Sequence, residues 1–306
     1  MMEYRSQKPA GQKLSRRLSV FLFCLVILFI FLGSPATSPG SGTDLELKVM
    51  TFNVRFDNPA DGPHNWKYRR DAAADLIRSR RVDLVGTQEV LHNQLDDFLE
   101  RLPEYGYLGV GREDGRSAGE FSAILFRKDR FQVLRSGNFW LSETPEVPGS
   151  KGWDAACERI VTWAIFKEKA NNIRFAFFNT HFDHVGQEAR KQSALLLLRR
   201  LKQMAGTLPV IVTGDFNATP ESEPVRIILG DGCLVDSREV AQKVSGPAWS
   251  FHGFGRVPET ERSLIDYVLV SHHFRVVEYL NISDRPDEVY YSDHNPVMVR
   301  LVIVRR

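Results

Sequence analysis

Cysteine is nearly absent from the 306-residue chain, which holds only Cys24, Cys157 and Cys233. Three thiols cannot staple a small disulfide scaffold, and none has a Cys-x-x-Cys or similar spacing, so a thiolate-bound structural zinc is excluded. If the body is exported, a Cys157–Cys233 bridge stays open. The alternative is two buried free thiols, cysteine being among the most buried residue types. A surplus of positive charge is missing too. Five of the 40 basic and one of the 38 acidic residues fall in the first 43, leaving 35 basic against 37 acidic in the rest. Such a body lacks the basic footprint that grips a long polyanion by counterion release, so long nucleic acid is not an expected partner. Nor is there an apolar run of spanning length. The stretch Leu18 to Leu32, broken only by Ser19, has 15 residues, against the roughly 20 that a transmembrane helix needs. With 43% hydrophobic and 25% charged residues, the composition excludes disorder, collagen and multi-pass membrane architectures.

What the front end does have is Lys8, Lys13, Arg16 and Arg17 ahead of that apolar run, and Ser34-Pro35-Ala36 after it. A basic segment, an apolar segment and small residues read as a signal peptide or an uncleaved signal anchor over 1–33. Either reading exports the body, as a secreted, periplasmic or membrane-anchored protein. Cys24 has no small residues ahead of it and does not resemble a lipid acceptor. The Gly/Ser/Pro-rich stretch 34–44 reads as a flexible tether, and 45–306 as one domain without repeats or a second linker. A monomer is expected.

Apolar runs rich in β-branched and aromatic residues predict strands at Leu47 to Phe56, Val82 to Thr87, Phe121 to Phe126, Ile160 to Phe166, Ile173 to Thr180, Pro209 to Thr213, Leu264 to Val270 and Pro296 to Val304. Helical periodicity appears at Lys67 to Ser79, Asn93 to Leu102 and Gln187 to Met204. Strands both in succession and in strand-helix-strand units favour a mixed-sheet α+β sandwich over a doubly wound parallel sheet. The informative feature is what closes the strands: Asn53, Glu89, His181, Asp215 with Asn217, Asp266, and Asp293 with His294. Isolated charges and amides in buried strands cost several kcal/mol, on the order of 2–7, unless paired or metal-bound. Their recurrence at strand ends suggests one shared polar site.

Other signals are weaker. Gly115 to Gly119 spells Gly-x-Ser-x-Gly, but VGRED precedes it and the predicted strand FSAILF follows, which is a surface turn and not a nucleophile elbow. Asn217-Ala-Thr and Asn281-Ile-Ser match a glycosylation sequon too short to carry weight. Leu195 to Leu198 reads as a helix face on a sheet. Trp140, Trp153 and Trp249 flank presumptive pocket loops, with core packing set against base or sugar stacking.

Asn53, Glu89, Asp215, Asn217, Asp266 and Asp293 are hard oxygen donors or amides, so a metal held among them would be Mg2+, with Mn2+ or Ca2+ as alternatives, rather than zinc. His181 and His294 can donate to a developing anionic oxygen, and carboxylates with such donors are the equipment for metal-assisted phosphoester hydrolysis. Arg159, heading the strand IVTWAIF, is a candidate phosphate clamp, the alternative being a surface salt bridge. Glu120, Asp183 and His184 lie beside these segments, with a substrate-pocket role weighed against a loop role.

The strings TFNVRFD, TQEV, NTHFDH, GDFNATP, LIDYVLVS and SDHNPV resemble the successive motifs of the endonuclease/exonuclease/phosphatase superfamily, in family order across 45–306. GEFSAILFRKD and FWLSETPEVPGSKGWDAA further resemble a bacterial branch of undefined substrate. The resemblance implies a DNase I-like four-layer α/β/β/α sandwich with two stacked mixed sheets and in-line attack of water on phosphorus. It implies Glu89 as the central metal carboxylate with Asn53 and Asp293 beside it, Asp215 activating water, and Asn217 holding a phosphoryl oxygen. His294 polarised by Asp266, together with His181, would stabilise the growing charge. The expected activity is metal-dependent phosphoric ester hydrolysis of a phosphorylated small molecule, nucleotide or lipid. A deadenylase-like nuclease is the alternative, and a lipid phosphodiesterase or a non-catalytic binding domain stands behind it.

Overall fold

The structure, a computed structural model, describes residues 44–303. The expected export segment 1–33 with Cys24, and the expected tether up to residue 43, lie outside the described residues. In chain order the elements are β1 (Leu45–Asn53), α1 (Trp66–Arg80), β2 (Leu84–Gln88), α2 (His92–Arg101), β3 (Tyr105–Leu108), β4 (Ile124–Arg127), β5 (Phe131–Trp140), β6 (Ile160–Glu168), β7 (Arg174–His181), α3 (Gln187–Ala205), β8 (Val210–Asp215), α4 (Glu223–Gly230), β9 (Val235–Asp236), α5 (Ser237–Val240), β10 (Val244–Ser245), β11 (Asp266–Val270), β12 (Phe274–Asn281) and β13 (Val297–Ile303).

Two mixed sheets result, in the orders β10-β12-β13-β1-β2-β4-β3 and β5-β6-β7-β8-β11-β9. The parallel pairs β1/β2, β7/β8 and β10/β12 are set among antiparallel ones. The period-2 alternation of strand side chains then dictates four layers. Met50, Phe52, Val85 and Leu125 point outward and meet Ala73, Ile77, Leu95 and Phe98 of α1 and α2. Ala176, Phe178, Val212 and Leu269 meet Leu197, Leu201, Val225 and Ile228 of α3 and α4 on the other side. Between the sheets lie Val49, Leu84, Phe166, Phe175, Phe177, Ile211, Val268 and Leu301. Burying each such side chain contributes roughly 1.5–3 kcal/mol, so the body is held by three apolar seams away from the polar strand ends. The expected α+β sandwich is the fold the chain adopts.

Some elements depart from the expected ones. The helices and most strands shift by a few residues at their ends, and β3, β5, β9, β10, β12, α4 and α5 were not foreseen. β5 sits at a sheet edge with alternation broken by a register shift between Val133 and Arg135, and β12 has a similar shift between Val276 and Glu278. A bulge moves the apolar set off a strict period of two, which hides a strand from pattern reading. The Gly115–Gly119 segment is a turn in which Asp114 Oδ1 accepts from the N–H groups of Arg116 and Ala118. Cys157 and Cys233 are free thiols. Asn281 of the second sequon is buried.

Candidate active site

The inward-facing positions that carry hydrocarbon between the sheets change character toward one end. Along β1 they run Val49, Thr51, Asn53, along β7 Phe177, Asn179, His181, and along β8 Ile211, Thr213, Asp215. The first polar tier is a cross-linked floor. Gln88 Nε2 donates to Asn179 Oδ1 at 2.7 Å and to Thr51 Oγ1 at 3.1 Å, and Thr213 Oγ1 donates to Asn179 Oδ1 at 3.0 Å. Asn179 Nδ2 donates to the carbonyls of Thr87 and Ala123 at 2.8 and 2.9 Å. Fully bonded buried amides of this kind rigidify rather than destabilise. Gly86 lets the sheets meet here, since a Cβ on it would fall 2.0 Å from Thr213 Oγ1 and 2.4 Å from Asn179 Oδ1.

Above the floor the candidate residues converge. Register places Asp215 opposite both His181 on β7 and Asp266 on β11. Asn53 Nδ2 donates to Glu89 Oε1 and Asp215 Oδ2, each at 2.9 Å, and so ties an acid of one sheet to an acid of the other. Asp215 Oδ1 accepts from the Asn217 N–H at 2.9 Å. His181 Nε2 and His294 Nε2 approach Asp215 Oδ2 to 3.5 and 3.8 Å from two sides. Behind His294, Nδ1 meets Asp266 Oδ2 at 2.8 Å. Asn217 Nδ2 lies 3.1 Å from His181 Nε2 and donates to the Phe182 carbonyl at 3.0 Å, fixing the ring of His181.

This packing sets the protonation pattern. Burial, reinforced by Asp266, pushes the Asp215 carboxyl up to about 7 against the pull of His294 and its N–H donors. Burial alone would lower His294, but Asp266 through charge and hydrogen bond, helped by Asp215 and Asp293, holds it well above the usual imidazole value. Burial lowers His181, and the Arg159 and Arg112 charges lower it further. Asp293 is raised, chiefly by burial.

A basic end adjoins the acids. Arg112 and Glu120 form two bonds of 2.6 and 3.0 Å. Arg159 is 4% exposed, which settles its alternative against a surface salt bridge. Its Nε donates to Asp183 Oδ1 at 3.3 Å and its Nη2 stands 2.9 Å from His184 Nδ1. Burial would raise Asp183, but N–H bonds from Gly186, Ala156 and Val185 outweigh it and hold the group well below the usual range. Arg112 Nε, Arg159 Nη1 and His181 Nδ1 are buried without a partner.

A cleft of about 610 Å³ runs over this constellation. Glu89, Glu120, Arg159, His181, His184, Asp215, Asn217, Asp293 and His294 line it, while Asn53 and Asp266 stand behind and bond to residues that do. Sequence reasoning missed Arg55, Phe56, Arg112 and Phe251, which also line it. Arg55 sat in plain view inside TFNVRFD; Arg112 and Phe251 belong to loops with no distinguishing pattern. No tryptophan lines the cleft, and Trp140 acts from behind by donating its indole N–H to the Arg112 carbonyl at 2.6 Å.

The residues fit a divalent cation. Ligand atoms of Glu89, Asp215 and His294 lie within 4.8 Å of one another, the spread of a sphere whose ligands stand roughly 2.1–2.5 Å from its centre. Two of the three are carboxylates and none is a thiolate, a donor set that suits magnesium, manganese or calcium. The burial penalty that raises Asp215 and Asp293 is what a bound cation relieves.

A sequence model of the Endonuclease/Exonuclease/phosphatase family matches residues 50–294. The fold is similar to a solved endonuclease/exonuclease/phosphatase of Bacteroides vulgatus, at 44% identity and a TM-score of 0.83, covering 85% of this chain and all of that one. It is also similar to the mannosyl-6-phosphatase Bt3783 of Bacteroides thetaiotaomicron, at 40% identity and a TM-score of 0.80, covering 84% of this chain and all of that one. Among curated relatives, a protein of Acanthamoeba polyphaga mimivirus is 31% identical over 189 residues, covering 56% of this chain and 67% of that one. The Ccr4 3'-5'-exoribonuclease subunit of Mycosarcoma maydis is 21% identical over 233 residues, covering 59% of this chain and 35% of that one. This chain thus spans about a third of that nuclease's length.

Proposed function

The chain belongs to the endonuclease/exonuclease/phosphatase family, and from that premise we propose a divalent-metal-dependent phosphomonoesterase acting on a small phosphorylated molecule, with sugar phosphates first among the candidates. The observation that carries this reading is the cleft: about 610 Å³, bounded by the Arg112–Glu120 and Arg159–His184 pairs. That volume suits one small ligand, and a slightly acidic body disfavours a long polyanion. The 40% identity to a protein solved as a mannosyl-6-phosphatase supports the sugar class.

When bound, the cation would act as a Lewis acid on a phosphoryl oxygen. Glu89 would hold it, with Asp215 beside it. Asp215, kept ionised by the neighbouring cation, takes the proton of the attacking water. The Nε2–H of His294, kept in place by Asp266, donates to a phosphoryl oxygen as charge accumulates. His181, fixed by Asn217, serves the opposite corner, and Arg159 with His184 orients the part of the substrate beyond the phosphate. The basic-then-apolar segment before Leu32 supports an exported or membrane-tethered location. A second reading, exonuclease action on a short oligonucleotide, draws on Phe56 and Phe251 in the cleft wall as stacking surfaces and on the Ccr4 relative.

The test offers the full chain, with Mg2+, mannose 6-phosphate, p-nitrophenyl phosphate, bis-p-nitrophenyl phosphate and a short oligoadenylate, then repeats with chelator and with Glu89→Gln. Phosphate release from the monoesters, abolished by both treatments, is expected. Preference for the oligoadenylate would favour the second reading, and hydrolysis indifferent to chelator and substitution would end the metal-dependent one.

A further inference from the structure

The reaction above leaves Arg55 without a task. It follows β1 with φ +56°, a left-handed conformation that long side chains rarely adopt. Three bonds hold that turn: the Arg55 N–H donates to Asn53 Oδ1 at 3.0 Å, and its carbonyl accepts from Gln94 Nε2 at 3.0 Å and Arg69 Nη2 at 3.3 Å. The guanidinium lies among the acids, where Asp61 grips it through Nε at 3.1 Å and Nη2 at 3.2 Å. So held, Nη1 stands 3.7 Å from Glu89 Oε2 and Nε stands 3.9 Å from Asp293 Oδ2.

Glu89 therefore has two unlike edges. Oε1 faces Asn53, which it shares with Asp215, whereas Oε2 faces the Phe56 N–H and Arg55, with Asp293 beyond. Two-ion phosphoesterase centres place their ions about 3.5–4 Å apart, so a second ion sharing Glu89 would have to sit on the Asp293 edge. That edge already has a cation at ion-pair distance from both carboxylates. Three carboxylates, Asp61, Glu89 and Asp293, share the one Arg55 guanidinium at ion-pair distance, so it supplies positive charge at the position a second ion would take. Behind them the buried Arg69 spends its donors on the carbonyls of His64, Val54, Tyr291 and Arg55, so its own charge is not cancelled by a carboxylate bond.

We propose that Arg55, clamped by Asp61, stands in for a second metal ion, so that the centre takes one divalent cation per chain. The proposal rests on the metal-dependent reading above. Its test counts Mn2+ bound by the chelator-stripped full chain, from the loss of the free-ion paramagnetic resonance signal. One ion is expected for the native protein and for Arg55→Lys, and two for Arg55→Met, with Arg55→Gln as a second neutral variant should the first fail to melt cooperatively. Two ions in the native protein, or one ion at unchanged affinity in a folded neutral variant, would overturn it. A neutral variant that keeps one ion but loses inhibition by inorganic phosphate would assign Arg55 to the substrate and overturn it equally. Mn2+ uptake absent from every form, with hydrolysis indifferent to chelator, would instead remove the metal-dependent reading and this proposal with it.

Discussion

His181 and His294 occupy mirrored corners of one carboxylate, both buried and within 3.5 and 3.8 Å of the same Asp215 oxygen. Burial acts on the two in the same direction, yet their pKa values are driven in opposite directions. Asp266 lies 2.8 Å behind His294 and favours its charged form, holding the pKa well above the usual imidazole value. Behind His181 the Glu120 carboxylate lies 4.0 Å from Nδ1 but is bonded by Arg112, and burial together with the Arg159 and Arg112 charges pushes this imidazole well below its ordinary value. What the imidazole backs onto, not how deeply it lies, decides whether the corner carries a charge.

Three substitutions break or sharpen that contrast, and a fourth isolates the effect of burial on a carboxyl away from the site. Asp215→Asn removes the oxygen common to both corners, and kcat should fall by about 10²–10⁴, the worth of a general base, while thermal melting stays cooperative. Asp266→Asn strips the brace from one corner only. A loss of about 10²–10³ in kcat is expected, and because His294 then needs acid to stay protonated, the ratio of variant to native activity should be higher at pH 6 than at pH 8. A ratio flat across pH would show that the brace sets orientation alone.

Arg159→Met alters the other corner. It removes a charged donor worth roughly 1.5–3 kcal/mol, so KM should rise about tenfold or more with kcat less affected, as steady-state kinetics on a monoester would show. Asp236→Asn is the smallest and lies outside the site. Asp236 is a buried carboxyl that N-caps α5 through the Arg238 N–H at 2.9 Å, and burial raises it from 3.8 to about 6. A raised carboxyl contributes stability that is full below pH 3.8 and lost as pH climbs through about 6. Asparagine keeps the cap and does not titrate, so its stability relative to native should improve between pH 4 and pH 7.5 by at most about 3 kcal/mol, read by denaturant unfolding. No improvement would mean that the burial penalty assigned to this lone aspartate is too large.

The site was legible where chemistry contradicts its surroundings. Asp215, Asp266 and His294 stand out because a charge in a run such as VIVTG or LIDYVLV has no reason to be there unless something pairs with it. Motif order supplied the architecture, and register then did what spacing could not by setting Asp215 against residues from two other strands. Arg112 escaped because an arginine in a loop looks the same whether it faces water or a cleft, and Arg55 because the predicted strand ran on to Phe56 where β1 ends at Asn53. The floor of Thr51, Gln88, Asn179 and Thr213 escaped because each is an ordinary strand residue until the two sheets are laid together. β5 and β12 were hidden by bulges, and β5 also by its place at a sheet edge.

The floor beneath the cleft, knitted from amides of both sheets and closed over a bare glycine, works as a keel. Acids and imidazoles of both leaves are moored beside it at fixed separation, so a substrate cannot draw them together by bending the sandwich. Any accommodation to the shape of the arriving molecule is left to the rim segments that carry Arg112, Cys157 and Phe251. Retuning what this scaffold accepts is therefore a matter of rewriting its shoreline while leaving the hull untouched.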